Sequence, residues 1–273
     1  MNQYQGIKMS EDVKSKIAEI QEYYRVRAAS GKYATSPDFN LREVEIEYLS
    51  RWIKDGLRVL DIGCGTGYTT LCHAAMFDSD FIGVDFVSEM IEQAKSLSKE
   101  FHPKKKVEFQ VGDVTKLHFP DACFDVVISE RCLLNLPTKD DQWRAVEEVA
   151  RVLKPGGLYL MLEGTMQGLQ KLNDIRNRFG LEPIPEAEAK YNWFSNKFDE
   201  EEMIPIALRS FGELEQTQRF GMYYFISRVI NPLLVKPDQP KYDALINLIA
   251  RQICSQFPNF EDIGHVALFV FRR

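Results

Sequence analysis

The stretch LRVLDIGCGTG, residues 57–67, decides how the chain is expected to fold. Its first seven residues are mostly apolar and of strand length, which predicts a buried β-strand. Glycines occupy positions 63, 65 and 67 at the end of the stretch. The segment after them predicts a helix from about Tyr68 to Met76. Glycine allows a ligand to approach the backbone closely, and a helix N-terminus favours an anionic group. Taken alone, such a loop also suits a tight strand-to-helix turn.

Strand and helix signals alternate beyond this stretch. Apolar segments at 80–85, 106–113, 124–130 and 158–164 predict four further strands, each separated from the next by a helix or loop. One helix is predicted from Ser88. Ser88 can cap this helix only by its own side chain, because Ile91 occupies the position where a capping box needs Glu or Gln. Repeated β-α units with apolar strands predict a doubly wound α/β fold, a mostly parallel sheet with helices on both faces.

The flanking segments predict a lid and two caps. Two helices are expected upstream, at 10–28 and 40–54, the second with Asn40 as its N-cap. Two strands are expected downstream, at 212–220 and 265–273, and the roughly forty residues between them exceed a hairpin loop. We predict a single domain, 1–273. It is divided into an N-terminal helical lid at 1–39, a cofactor-binding core at 40–164 and substrate-cap insertions at 165–211 and 221–262.

Composition limits the classes of partner. The chain has 273 residues, 45% of them hydrophobic, and a formal net charge of −6. A packed core is therefore expected, and general binding to nucleic acid is disfavoured because it needs clustered positive charge. The five cysteines form no CxxC pair, so thiols in a reducing cytoplasm fit better than disulfides or a zinc site, and we expect no metal. Neither a signal core nor an apolar run of about 18 residues occurs, so no membrane partner is expected.

Acidic residues recur at the ends of the predicted strands. Asp85 ends the second strand, Asp113 the third, and Glu130 with Arg131 stands at the end of the fourth. A carboxylate at Asp85 can accept hydrogen bonds from ribose hydroxyls, as the acid about 20 residues beyond the glycines does in dinucleotide sites. Open α/β sheets bind ligands at the carboxyl ends of their strands, so the set predicts one site. Any one of these acids alone would more often be a helix cap or a solvated turn residue.

The successive motifs VLDIGCGTG, VDFVSEM, VGDV, FDVVISE and LKPGGLYLMLE resemble those of class I S-adenosylmethionine-dependent methyltransferases. The resemblance covers residues 40–164 and implies a seven-stranded Rossmann-like sheet, whose last hairpin comprises the strands at 212–220 and 265–273. It also implies S-adenosylmethionine as the cofactor and S-adenosylhomocysteine as its product. The residues that it places at the cofactor are Asp61, Gly63, Cys64, Gly65, Gly67, Asp85, Phe86, Met90, Asp113, Val114, Glu130 and Tyr24.

The resemblance also implies roles for these residues. Asp61 and the glycine loop would line the methionine part of the cofactor, Asp85 would hold the ribose, and Asp113 would meet the adenine amino group. Glu130 is the candidate catalytic or substrate-orienting acid, and a role restricted to cofactor or structural contacts is the alternative. A nicotinamide cofactor is disfavoured, because its enzymes prefer GxGxxG and the glycines here are spaced GxGxG.

Substrate recognition is expected outside the cofactor motifs. The candidate substrate-binding residues are Arg131, Trp193, Tyr223, Tyr224 and Arg228. Aromatic walls with a cation suit a charged or ring-shaped molecule, although core packing, or an ion pair for Arg131, is the plainer alternative. His265, in a predicted strand, is expected to be structural. We expect methyl transfer to an O or N atom of a small molecule, such as a sugar or another secondary metabolite. The alternatives are a protein or RNA methyltransferase and a non-catalytic cofactor-binding protein.

Overall fold

The structure, a computed structural model, describes residues 11–186, 195–235, 244–257, 260 and 262–273. The strands in these ranges are β1 Arg58–Ile62, β2 Asp80–Asp85, β3 Glu108–Val111, β4 Phe124–Glu130, β5 Leu153–Gly164, β6 Glu213–Arg219 and β7 Val266–Arg272. They form one sheet in the order β3-β2-β1-β4-β5-β7-β6. The pairs from β3 across to β5 are parallel, and β7 runs antiparallel to both β5 and β6. The predicted seven-stranded, mostly parallel sheet and its terminal strand pair are confirmed.

Helices cover both faces of the sheet. The α-helices of the described ranges are α1 Glu11–Ala28, α2 Phe39–Ser50, α3 Tyr68–Met76, α4 Ser88–Leu97, α5 Lys139–Val152, α6 Met166–Arg178, α7 Glu200–Phe211, α8 Gly221–Phe225, α9 Asn231–Leu234 and α10 Leu245–Cys254. A π-helical stretch, Ile226–Ile230, joins α8 directly to α9. These last three helices and the π stretch are inserted between β6 and β7, and their assignment as a substrate cap stays a prediction.

The strands are buried on both faces, as a helix-covered parallel sheet requires. In β7, Phe269 and Phe271 belong to the core cluster on the face covered by α5 and α7. Leu268 and Val270 belong to the cluster on the opposite face, with residues of α2, α6, α8 and α10. Alternate side chains of one strand therefore hold the two helical layers to the sheet.

Three local predictions are wrong. Asn40 is not the N-cap of α2, because the helix begins at Phe39 and the side chain of Asp38 accepts a hydrogen bond from the backbone N–H of Leu41 at 3.2 Å. Ser88 is already the first residue of α4, after Val87, so its side chain caps nothing. The strand predicted over 158–164 begins earlier, because β5 already pairs with β4 at Leu153 and accommodates residues 154–157 as a register shift.

Three further properties concern partners. All five cysteines are free thiols. No helix in the described part of the chain is long and apolar enough to cross a bilayer. The same ranges contain no group of three or more His, Cys, Asp or Glu side chains arranged to hold a metal ion.

Candidate functional site

A cavity of about 1120 Å³ lies at the edge of the sheet where the parallel strands end. Its lining includes Gly63 after β1, Asp85 at the end of β2, Asp113 after β3 and Glu130 at the end of β4. The structure brings eleven of the twelve candidate cofactor residues to this cavity, all except Gly67. The acids that sequence spacing placed at one sheet edge thus share one cleft.

The glycine loop depends on backbone conformations that side chains disfavour. Gly63, Gly65 and Gly67 have φ values of +68°, +55° and +73°. A Cβ at Gly63 would lie 2.2 Å from the Sγ of Cys132, and a Cβ at Gly65 would lie 2.6 Å from Cγ2 of Thr35. Positive φ and the absence of a Cβ therefore let the loop lie tightly beneath the cavity.

Gly67, expected at the cofactor with Gly63 and Gly65, lies outside the cavity lining. It precedes the first residue of α3, and a Cβ there would lie 2.6 Å from the ring of Phe109 and 3.0 Å from Ala94. It does not line the cavity. Gly67 therefore permits close packing of the loop against β3 and α4, while the two preceding glycines face the cleft.

Asp85 ties the glycine loop to the end of β2. Its Oδ2 accepts a hydrogen bond from the backbone N–H of Gly65, and its Oδ1 accepts one from that of Val87, both at 2.9 Å. Burial raises the pKa of Asp85 to about 6, although these backbone donors favour its ionised form. Each oxygen has a second lone pair, so the carboxylate can also accept hydrogen bonds from two neighbouring hydroxyls.

Asp61 is the second buried acid of the loop region. Its Oδ2 accepts a hydrogen bond at 2.5 Å from Oγ1 of Thr70, on α3. Burial raises the pKa of Asp61 to about 7, and the hydrogen bond from Thr70 opposes that rise. The pair joins the end of β1 to the helix after the loop, and thereby fixes the angle at which the chain turns.

Glu130 lies in a buried cluster of ion pairs. One of its oxygens accepts a hydrogen bond from Thr69 at 2.7 Å, and the other contacts Arg131 at 2.8 Å and the Nε of Arg42 at 3.7 Å. Burial disfavours its ionisation, but the two arginines prevail and hold the pKa of Glu130 below its ordinary value. Arg131 also contacts Glu45 at 2.5 Å. An ionised, doubly paired carboxylate favours the alternative role for Glu130, that of holding the site, over proton transfer.

One end of the cavity is apolar. Tyr24 of α1 and Phe86 pack against a small cluster that contains Met90 of α4 and Val87. Asp113 lies beside this end on the exposed surface, and its Oδ1 accepts two hydrogen bonds at 2.8 Å from the backbone and hydroxyl of Thr115. Val114 is buried under the same rim. A flat aromatic ring such as adenine suits this combination of an apolar wall and a polar edge.

The candidate substrate residues divide into two groups. Arg131 and Arg228 line the cavity. Tyr223 and Tyr224 are completely buried and are not part of its lining, since the hydroxyl of Tyr223 donates instead to Asp38 at 2.6 Å. The alternative of core packing thus describes both tyrosines. Trp193 lies outside the described residues.

His265 was missed as a site residue. It immediately precedes β7 and lines the cavity, contrary to the structural role expected for it. Because β7 is antiparallel to β5, its first residues reach the edge where the parallel strands end. The predicted terminal hairpin contained this signal, since an antiparallel last strand must begin at the ligand-binding edge.

Comparisons with known proteins agree with this geometry. Residues 59–157 match the family described as methyltransferase domain. The chain is 34% identical over 105 residues to 27-O-demethylrifamycin SV methyltransferase of Amycolatopsis mediterranei, over 38% of this chain and 38% of that protein. It is 38% identical over 144 residues to demethylmenaquinone methyltransferase of Leptospira interrogans, over 48% of this chain and 55% of that protein. The matched region therefore spans about half, or less, of the length of these curated relatives.

A solved structure extends the likeness to nearly the whole chain. The PH0226 protein from Pyrococcus horikoshii aligns with 92% of this chain and 98% of its own, with a TM-score of 0.58 and 22% identity. At that identity the alignment shows a shared fold, including the regions outside residues 59–157.

Proposed function

We propose that this chain, which contains a class I S-adenosylmethionine-dependent methyltransferase domain, transfers a methyl group from S-adenosylmethionine to an O or N atom of a small molecule. The observation that carries the proposal is the position of Asp85, which lines the cavity while its carboxylate holds the backbone of Gly65 and Val87. That arrangement supports recognition of a ribose beside a glycine loop.

The residues of the cleft fit an adenosyl cofactor. Gly63 and Gly65 line the cleft, and their missing Cβ atoms leave room for Cys132 and Thr35 to pack against the loop. Asp85 would hold the ribose hydroxyls, and the apolar end at Phe86 and Met90 would enclose the adenine. The loop lies directly before the N-terminus of α3, where a ligand carboxylate is favoured.

The chain contributes mainly alignment and exclusion of water. S-adenosylmethionine supplies an already activated methyl group when bound. The ion pairs of Glu130 with Arg42 and Arg131 hold the wall of the cleft rigid, and they leave the charge of Glu130 balanced. Fixed walls of this kind raise the frequency with which an acceptor atom meets the methyl group in line. Arg228 and His265 would orient the acceptor at the other side of the cavity.

Several features support a small acceptor under a cap. Residues 182–186 and the segment that includes Arg228 and Asn231 line the cavity, which supports the proposed substrate caps at 165–211 and 221–262. The lining by Tyr24 supports a lid at 1–39. The names of the two curated relatives describe methyl transfer to small molecules, and the free thiols support a cytoplasmic location.

A thermal-shift experiment tests the cofactor. S-adenosylmethionine, S-adenosylhomocysteine and NAD are each added to the full chain, and a ligand present at about 100 times its Kd should stabilise by about 2.7 kcal/mol. Asp85→Ala should lose most of the shift, whereas Asp80→Ala, at the exposed opposite end of β2, should retain it. An equal shift with NAD, or none with either sulfur ligand, contradicts the proposal.

A labelled-methyl screen tests the reaction. The protein and methyl-labelled S-adenosylmethionine are incubated with small-molecule extracts, and products are identified by mass spectrometry. We expect label in a compound below the size of a protein or RNA. Label found only in macromolecules, or none despite cofactor binding, contradicts transfer to a small molecule.

A further inference from the structure

The cavity continues beyond the candidate cofactor residues. Arg176 of α6, Ser227 and Arg228 of the π stretch, Asn231 of α9 and His265 also line it. These residues are contiguous, because Nη1 of Arg176 donates to the backbone oxygen of Arg228. The guanidinium of Arg228 lies 6.0 Å from the ring of Tyr224, and that ring meets His265 edge-on at 5.0 Å. We call the five lining residues the distal compartment.

Three residues of the distal compartment hold buried polar atoms that lack a hydrogen bond to any described residue. Ser227 and Asn231 are 4% and 5% exposed. The Oγ of Ser227, the Oδ1 of Asn231 and the Nδ1 of His265 are buried and make no hydrogen bond within the described part of the chain. Buried polar groups are nearly always satisfied in folded proteins. Because these three atoms have almost no accessible surface, they lie behind the cavity wall, which other atoms of the same residues form.

Arg176 adds a positive charge to this compartment. Its Nε and Nη2 donate to the backbone oxygen of Glu182 at 2.9 and 2.7 Å, and no carboxylate of the described residues lies within 4.0 Å of it. A guanidinium has five N–H donors, so two remain after these bonds and the one to Arg228. Burial and the neighbouring Arg228 lower the pKa of Arg176, but a guanidinium stays charged at any physiological pH.

The other charges near the compartment are already balanced or lie at its rim. Arg228 forms an ion pair with Asp38, and Arg131 with Glu45 and Glu130. Glu182 and Glu186 also line the cavity, but both are exposed to solvent. Burial first, and then the cations Arg228, Lys197 and Arg131, lower the pKa of His265 to about 3. The inner part of the compartment is therefore a positive environment around a neutral imidazole.

We propose, on the basis of the function proposed above, that the methyl acceptor carries an anionic group, a carboxylate or a phosphate, that binds Arg176 in the distal compartment. The two remaining N–H donors of Arg176 donate to the anion. The anion balances Arg176, and the acceptor atom points toward the cofactor side of the cavity.

Anion titration tests the site without requiring turnover. Inorganic phosphate and acetate are titrated separately into the full chain, with and without S-adenosylhomocysteine, and the Nε–H resonance of Arg176 is followed by NMR. We expect saturable shifts with at least one anion and none with an equal concentration of chloride. The stronger of the two responses distinguishes a phosphate-bearing from a carboxylate-bearing acceptor. Absence of saturable shifts with both anions overturns the proposal.

Substitution separates Arg176 from general surface charge. Arg176→Gln should weaken anion binding by about tenfold or more, since a charged hydrogen-bonding pair is lost. Arg178→Gln removes an exposed arginine from the same helix and should leave the affinity unchanged. If Arg176→Gln lowers the melting temperature strongly, Arg176→Lys keeps the charge and should retain weakened but measurable binding. Equal affinity in wild type and Arg176→Gln overturns the proposal.

The two proposals fail in different ways. If the wild type does not bind S-adenosylhomocysteine, the methyltransferase function is refuted. The anion titration without S-adenosylhomocysteine then still tests the distal compartment independently. Cofactor binding with no anion response refutes only the anionic acceptor. In the labelled-methyl screen, the product should be retained by an anion-exchange resin, and a neutral or cationic product overturns the inference.

Discussion

At the scale of single residues, the missing side chain of Gly65 matters most. Gly65→Ala would strain a backbone at φ +55° and place a Cβ 2.6 Å from Thr35. Thr35 cannot move aside easily, because its hydroxyl accepts a hydrogen bond from the buried Arg42. We expect the Kd for S-adenosylhomocysteine, measured by calorimetry, to rise by about tenfold or more as the loop is displaced.

Gly31→Ala is the matched control for this substitution. Gly31 also has φ +55°, but a Cβ there would meet nothing within 4 Å. The two variants therefore share the backbone strain and differ in the clash beneath the cavity. Similar cofactor affinities in both variants would show that the space at Gly65 is unimportant for binding.

Asp85 should make cofactor binding depend on pH. Its pKa is raised from 3.8 to about 6 in the folded chain, and ribose hydroxyls require its ionised form as acceptor. Affinity for S-adenosylhomocysteine should therefore be highest above about pH 6 and fall by up to about tenfold per unit below it. In the unliganded chain, the contribution of Asp85 to folding stability changes with pH in the opposite direction to the cofactor affinity. The protonated form is favoured by folding, so the stability due to Asp85 is present below pH 3.8 and is lost as pH rises through about 6.

Asp85→Asn should bind more weakly and remove this component of the pH profile. Calorimetric titrations at several pH values between 5 and 8 measure it in both proteins. Burial also raises the pKa of nearby Asp61, to about 7, so the difference between wild type and variant isolates the component due to Asp85. Parallel pH profiles in the two proteins would mean that another group controls binding.

At the scale of secondary-structure elements, Asp38 joins α2 to the segment inserted before β7. Its carboxylate caps α2 at Leu41, accepts from the hydroxyl of Tyr223 on α8 and pairs with Arg228 in the π stretch. Asp38→Ala would leave Arg228 partly buried without its acid. Breaking a buried pair on one side costs about 3–5 kcal/mol, so urea unfolding should show a loss of that order.

Asp199→Ala is the control for the loss of a helix cap. Asp199 caps α7 by accepting from the backbone N–H of Glu201, but it is exposed and holds no buried cation. The free energy of unfolding should fall less than in Asp38→Ala. Equal losses would indicate that capping alone, rather than the link between α2 and the inserted segment, accounts for the effect of Asp38.

At the scale of the whole molecule, β7 holds the sheet and its helical layers together. It lies between β5 and β6, and Phe269 is completely buried in the cluster beneath α5 and α7. Phe269→Ala should lower the free energy of unfolding by about 3–5 kcal/mol, because it leaves a large cavity in a packed core. Chemical unfolding measures the change. Phe179→Ala removes a ring that is 49% exposed and should alter the free energy far less. A small decrease in the free energy of unfolding of Phe269→Ala would mean that the β6–β7 pair is loosely attached to the sheet.

The sequence by itself determined the sheet and one side of the site. Apolar periodicity and glycine spacing act over a few residues, so they located the strands that end at Ile62, Asp85 and Glu130 and the loop between β1 and α3. Strand ends of a parallel sheet meet at one edge, and this rule alone predicts that the acids lie close together.

Only the tertiary structure decided how these groups are partnered. Tyr223 and Asp38 bond across 185 positions of sequence, and Arg131 finds Glu45 across 86. No local pattern encodes such contacts, so the sequence offers Glu130 as a catalytic candidate without its pairing to Arg42 and Arg131, and it predicts a structural role for His265. Folding, which joins distant segments and removes them from water, sets which charges are neutralised and which residues line a cleft.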